Sequence, residues 1–194
     1  MDQLLFYIKE GFYHVLDWRA YDHILFLIVL CVVYTFDSLK RVFLLISLFT
    51  IGHTFSLILA TYGVLTIKAS VVEFLIPITI FITAWINIIT LKTSSRNSGV
   101  NLNLFLALFF GLIHGLGFSR GFKMLVGRED DLFLPLLEFA LGIEFAQLIV
   151  TFIILLLGFV FCSFLRFSKR DWVLVSSAIV VGLVIPMLLN SKFW

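Results

Sequence analysis

Long apolar runs, broken by short polar turns, set the pattern of the whole chain. The runs cover about 22–36, 42–61, 70–91, 103–118, 132–164 and 172–189, and apolar segments near 20 residues are the length a membrane-crossing helix needs. Residues 1–17 differ. Leu4, Leu5, Ile8, Phe12, Val15 and Leu16 recur at helical spacing while Asp2, Lys9 and Glu10 interrupt them, which predicts an amphipathic helix lying at the membrane interface. The expectation is an all-α, polytopic membrane bundle of about six spans. It forms one integral domain, with residues 1–20 interfacial and 22–191 transmembrane.

The first run is short for a full crossing. The fifth is too long for an untilted one and should project beyond the bilayer. Residues 37–41 read as a short polar turn, 166–171 as a basic turn, 92–99 as the clearest loop and 119–131 as a polar hairpin. Pro77, inside the third run, is tolerable in a membrane helix and should bend it. Gly111 and Gly115 make a small-xxx-small pair of the kind that lets two helix backbones approach.

Composition strengthens this reading. The chain is 61% hydrophobic and only 13% charged, with 23 phenylalanines and a mean hydropathy of +1.12, far from a soluble domain. A net charge of +2, scattered along the sequence, gives no basis for nucleic-acid binding. Cys31 and Cys162 both sit in apolar runs without metal-type spacing and read as small packing residues. Residues 1–16 lack the pattern of a cleavable signal peptide. The 14 lysines and arginines divide evenly between the two sides of a six-span topology. Those at Lys40, Arg41, Lys92, Arg96, Arg166, Lys169 and Arg170 lie in denser, less acidic turns, which places these turns in the cytoplasm and both termini outside.

Candidate chemistry lies in the few ionisable residues near or within the runs. The chain has four histidines, His14, His23, His53 and His114. With alternating span directions, Asp22, His23, His53, Glu73, His114, Glu138 and Glu144 all fall toward the outer half of the membrane, at a rise of about 1.5 Å per residue. A lone intramembrane histidine commonly does no more than bond a neighbouring helix. Histidines on three separate helices, joined by acids on the same side, point instead to a shared site, because each bears a desolvation cost. Imidazole and carboxylate without thiolate is a ligand set for nickel, cobalt, zinc, iron or manganese. Thr50 and Ser56, three residues either side of His53, are candidates to orient its ring. Glu144 and Gln147 share a helix face, whereas Asp17, Arg19 and the charges at 128–131 read as solvated.

Several motifs together resemble the HupE/UreJ family: Gly11-Phe12-Tyr13-His14, Asp22-His23-Ile24-Leu25-Phe26-Leu27, Phe49-Thr50-Ile51-Gly52-His53-Thr54, Phe110-Gly111-Leu112-Ile113-His114-Gly115-Leu116-Gly117-Phe118 and Gly142-Ile143-Glu144-Phe145-Ala146-Gln147. The resemblance spans most of the chain. It implies a small protein of the bacterial inner membrane that moves nickel or cobalt for hydrogenase or urease maturation. It also implies His14, Asp22, His23, His53, Glu73, His114 and Glu144 as the polar site. This chain departs from the pattern in the seven residues between His14 and Asp22, and in Ala140 where an Asn is expected after the Phe. The implied partners are a metal ion, the lipid bilayer, a second copy of the chain and the maturation machinery. Two functions follow. One is a divalent-metal permease, with His53 and His114 as inner ligands, Asp22 and His23 at the mouth and Glu144 compensating charge. The other is a membrane-embedded metal hydrolase acting on a lipid or membrane peptide, with Glu144 or Asp22 as base. Against the first, Thr83, Asn87, Thr90 and Thr151 are nearly all the polarity offered toward the cytoplasmic side.

Overall fold

The computed structural model describes residues 2–90, 99–127 and 131–191. The loop expected at 92–98, the charges at 128–130 and Lys192 lie outside the described residues. Among the described residues the chain forms seven α-helices and one 3-10 turn. The helices are α1 (Asp2–Leu16), α2 (Asp22–Cys31), α3 (Leu39–Thr61), α4 (Ala69–Thr90), α5 (Gly99–Val126), α6 (Phe133–Ser163) and α7 (Lys169–Asn190). The turn, Phe36–Ser38, precedes α3. Five of these helices, α3 to α7, are long and apolar enough to cross a membrane. Their exposed positions carry large apolar side chains such as Phe55, Trp85, Phe145 and Phe152, as lipid contact requires. The protein is an all-α membrane bundle.

Two expectations from the sequence change in detail. The first run keeps its helix for only 10 residues, a rise of about 15 Å and roughly half a bilayer core. Its apolar character continues through Val32 and Val33, but the backbone turns. Thr35 is extended, and its side chain and that of Ser38 cap one another across the start of the 3-10 turn. The fourth run, in turn, continues well past Phe118. Residues expected in a polar hairpin complete α5, because Phe122 and Val126 are buried on one face while Arg120 and Lys123 stay exposed on the other. Gly127, with φ of 60°, ends the helix in the left-handed conformation that glycine adopts without strain.

Close backbone approach organises the packing. Glycines of α3 and α5 face each other's backbone carbonyls. A side chain at Gly52 would strike the Leu108 carbonyl, one at Gly111 that of Phe49, and one at Gly115 that of His53. From Phe49 with Gly111 to His53 with Gly115 the numbering rises together, so the two helices run parallel. A second pair is built the same way. Gly11 of α1 sits on the Phe139 carbonyl and Gly142 of α6 on the Ile8 carbonyl, with opposite numbering and hence antiparallel axes. The face of α1 carrying Tyr7, Gly11 and Val15 is buried. The amphipathic helix expected at the interface therefore spends its apolar face on α6. α7 packs mainly on α4, and α2 lies among α4, α6 and α7.

These contacts predict a position-specific cost for adding one methyl group. Gly115→Ala should lower the melting temperature of the detergent-solubilised protein, by the equivalent of about 1–3 kcal/mol of overpacking. Gly182→Ala, which meets nothing within 4 Å, should leave it unchanged. Equal melting temperatures for the two variants would show that the α3–α5 approach is not as close as described.

Candidate metal centre

Four imidazoles come together from four helices, two of which, α3 and α5, are held backbone to backbone by their glycines. His14 follows Gly11 on α1 by three residues, His53 follows Gly52 on α3 directly, and His114 directly precedes Gly115 on α5. His23 opens α2. Ring centroids lie 4.7 Å apart for His14 and His23, 5.8 Å for His14 and His53, 5.9 Å for His23 and His53, and 5.3 Å for His23 and His114. One ring nitrogen from each of His14, His23 and His53 lies within 4.8 Å of the others. Nitrogens bound to a common ion at about 2.0–2.1 Å stand at most about 4.2 Å apart. A small inward movement of the rings would therefore close the cage.

The rings of the cluster carry unpaired nitrogens. Among the described residues, the buried ring nitrogens without a hydrogen-bond partner are His14 Nε2, His23 Nε2, both nitrogens of His53, and His114 Nδ1. His53 is fully buried. Buried polar atoms nearly always find partners, so this concentration of unpaired nitrogens is what an ion or ordered water would relieve. The set fits a divalent transition metal of the borderline class.

Neighbours fix which nitrogens are free. Asp22 Oδ1 accepts from the His23 backbone N–H at 2.8 Å and lies 3.0 Å from His23 Nδ1. A carboxylate there holds the proton on Nδ1 and turns the Nε2 lone pair toward the cluster. Thr79 on α4 does the equivalent for His114. Its hydroxyl donates to the Ile76 carbonyl at 2.7 Å and lies 3.2 Å from His114 Nε2. A hydroxyl has one proton. It therefore accepts from Nε2–H, leaving Nδ1 bare. Aromatic rings wall the site: Phe118 and Phe139 against His14, and Phe26 and Phe49 against His114.

The remaining candidates divide. Asp22 is half-buried and joins the cluster through His23. Glu144 is held elsewhere. It accepts from Ser47 at 2.7 Å and from Thr50. The same Thr50 hydroxyl oxygen lies 2.9 Å from Gln147 Oε1. Glu144 and Gln147 do share a face, as their spacing implies, and it meets α3 one turn from His53. Glu73 is exposed and Glu138 is buried. Thr50 and Ser56 do not orient the His53 ring. Ser56 donates to the His53 backbone carbonyl at 3.0 Å, the local bond that hydroxyls in helices commonly make, and Thr50 is taken by α6. Sequence reasoning missed Thr79, although Thr79, Thr83 and Asn87 recur every fourth residue on one face of α4.

Fold and site together define a polytopic helical membrane protein with a buried polyhistidine centre. The chain belongs to the HupE/UreJ family: the model of the HupE / UreJ protein family matches residues 1–191, nearly its whole length. Comparison with curated proteins and with solved structures gives no match.

The geometry predicts a graded loss of metal affinity. Isothermal titration with nickel or cobalt should show binding abolished by His53→Ala and weakened roughly 10–100-fold by Asp22→Asn, the usual cost of losing a ligand's orienting partner. Wild-type affinity in Asp22→Asn would remove the orienting role of the carboxylate.

Proposed function

We propose that the protein is a divalent transition-metal permease of the nickel/cobalt type, in the bacterial inner membrane with both termini on the periplasmic side. The observation that carries this reading is the set of unpaired, buried ring nitrogens from His14, His23 and His53 converging from three helices, in a chain of a family associated with nickel and cobalt transport. His14, His23 and His53 take the ion after it sheds part of its water, with His114 beside them. Asp22 orients His23. Glu144 compensates charge from the adjacent α3–α6 seam, and Glu73 lies toward the mouth.

The hydrolase alternative needs a carboxylate base beside an open metal position. Asp22 is engaged with His23 and Glu144 with Ser47 and Thr50, which favours the permease. Zinc fits the same donors, and nickel or cobalt is preferred from the family association. Any driving force comes from an ion gradient or a partner, since the sequence carries no nucleotide-binding motif.

The test is uptake by purified protein in liposomes. Wild type should accumulate nickel or cobalt inside the vesicles, and the His53→Ala/His114→Ala double variant should accumulate none above protein-free vesicles. Stoichiometric binding by the wild type with no internal accumulation would overturn the permease and direct the search to lipid or peptide hydrolysis.

A further inference from the structure

The imidazole centre lies toward one end of the bundle, and a transport path needs a way out at the other. On α4, Thr79, Thr83 and Asn87 are all buried and stand at i, i+4 and i+8, so they form one polar line of about 12 Å running away from the imidazoles. The line begins at the cluster, where Thr79 holds His114. Thr83 donates to the Thr79 carbonyl at 2.8 Å, so its own oxygen keeps acceptor capacity. Asn87 donates to the Val29 carbonyl at 2.6 Å, one of the carbonyls left open where α2 stops short.

At the inner end of this line is a small cavity. It measures about 10 Å³ and is lined by Thr83, Asn87 and Asn103 together with Val29, Leu30 and Phe110 among its apolar neighbours. That is close to the roughly 10–15 Å³ that one water needs, and the lining supplies the polar partners a buried water requires. Asn103 also donates to the Tyr34 hydroxyl at 3.0 Å, which carries polarity on to the segment between α2 and the 3-10 turn.

Two rings separate the cavity from the imidazoles. Phe110 lines the cavity and meets Phe26 edge-on, with centroids 6.0 Å apart. Phe26 in turn lies 5.3 Å from His114. Both rings are almost fully buried. The water-sized polar cavity is thus linked to the imidazoles through two packed aromatic rings.

We infer that Thr83, Asn87 and Asn103 form the inner station of the ion path, and that Phe26 and Phe110 are the gate between this station and the imidazole centre. The ligand class is a divalent cation in transit, taking the place of the single water for which the cavity has room and met by the hydroxyl and amide groups of Thr83, Asn87 and Asn103. Oxygen donors of this kind bind borderline metals more weakly than imidazole, which favours release. Apolar constrictions close such paths by excluding water, and substrate sites at helix junctions fit alternating exposure to the two sides. The inference rests on the permease reading and goes beyond it by assigning the inner half of the route.

The experiment measures metal bound and metal transported on the same preparations, using nickel or cobalt ions alone as probe. Thr83→Val removes the oxygen with little change in volume. It should keep wild-type binding stoichiometry while uptake into liposomes falls roughly tenfold, the kinetic equivalent of one lost polar partner. Phe110→Ala should keep that stoichiometry and raise uptake several-fold. Retained binding certifies a folded imidazole centre in each variant, and if Phe110→Ala does not fold, Thr83→Val decides alone. Wild-type uptake in Thr83→Val with full binding would overturn the inner station while leaving the permease standing. A wild-type protein that binds metal and transports none would overturn both.

Discussion

Everything at the centre of this protein depends on helix backbones touching. At Gly52, Gly111 and Gly115 the parallel helices α3 and α5 meet carbonyl to Cα, and at Gly11 and Gly142 the antiparallel helices α1 and α6 do the same. Imidazole side chains are short. His53 and His114 meet because the main chains of α3 and α5 are drawn in far closer than Leu- or Phe-lined helices allow, and Gly11 seats the α1 that carries His14 against α6. In lipid there is little hydrophobic gain from pairing two apolar helices, so contact of this kind rests on van der Waals packing. Close packing also excludes water, which leaves the ring nitrogens of His53 buried and without partners.

The same close packing explains the division of labour among the polar residues. Asp22 is attached to His23 by adjacency in sequence and by its bonds to both the backbone N–H and the ring. Glu144 sits two residues past Gly142, on the α6 face that meets α3, and there the hydroxyls of Ser47 and Thr50 reach it first. Carboxylates at comparable depth thus serve different neighbours. One tunes an imidazole, and the other anchors a polar seam between two helices. A ligand list based on depth alone merges these two environments.

Much of the architecture was legible in the sequence because apolar length is an unambiguous signal in a membrane protein. Runs two, three, five and six match α3, α4, α6 and α7 to within a few residues. The convergence of His23, His53 and His114 followed from alternating span directions, and His14 joined them through the α1–α6 glycine contact. What stayed hidden has physical causes. Hydropathy does not distinguish helix from turn, so Val32 and Val33 lengthened the first run beyond α2. Arg120 and Lys123 read as loop residues although they occupy the exposed face of a continuing helix whose other face buries Phe122 and Val126. Thr79 went unnoticed because a single threonine in an apolar run carries no signal until its partner, His114 on another helix, is in place. Even Thr83 and Asn87, which alone looked like thin polarity, acquire meaning once they share one face of α4 with Thr79.

The glycine contacts also constrain how this molecule can move. A pair of helices locked backbone to backbone cannot slide or twist internally without collision, so α3 with α5 and α1 with α6 behave as two stiff struts. His53 and His114 ride on one strut and His14 on the other, while His23 belongs to the short α2 between them. The struts already meet along the seam where Ser47 and Thr50 of α3 reach Glu144 of α6, and an ion held by the rings would add a second tie between them.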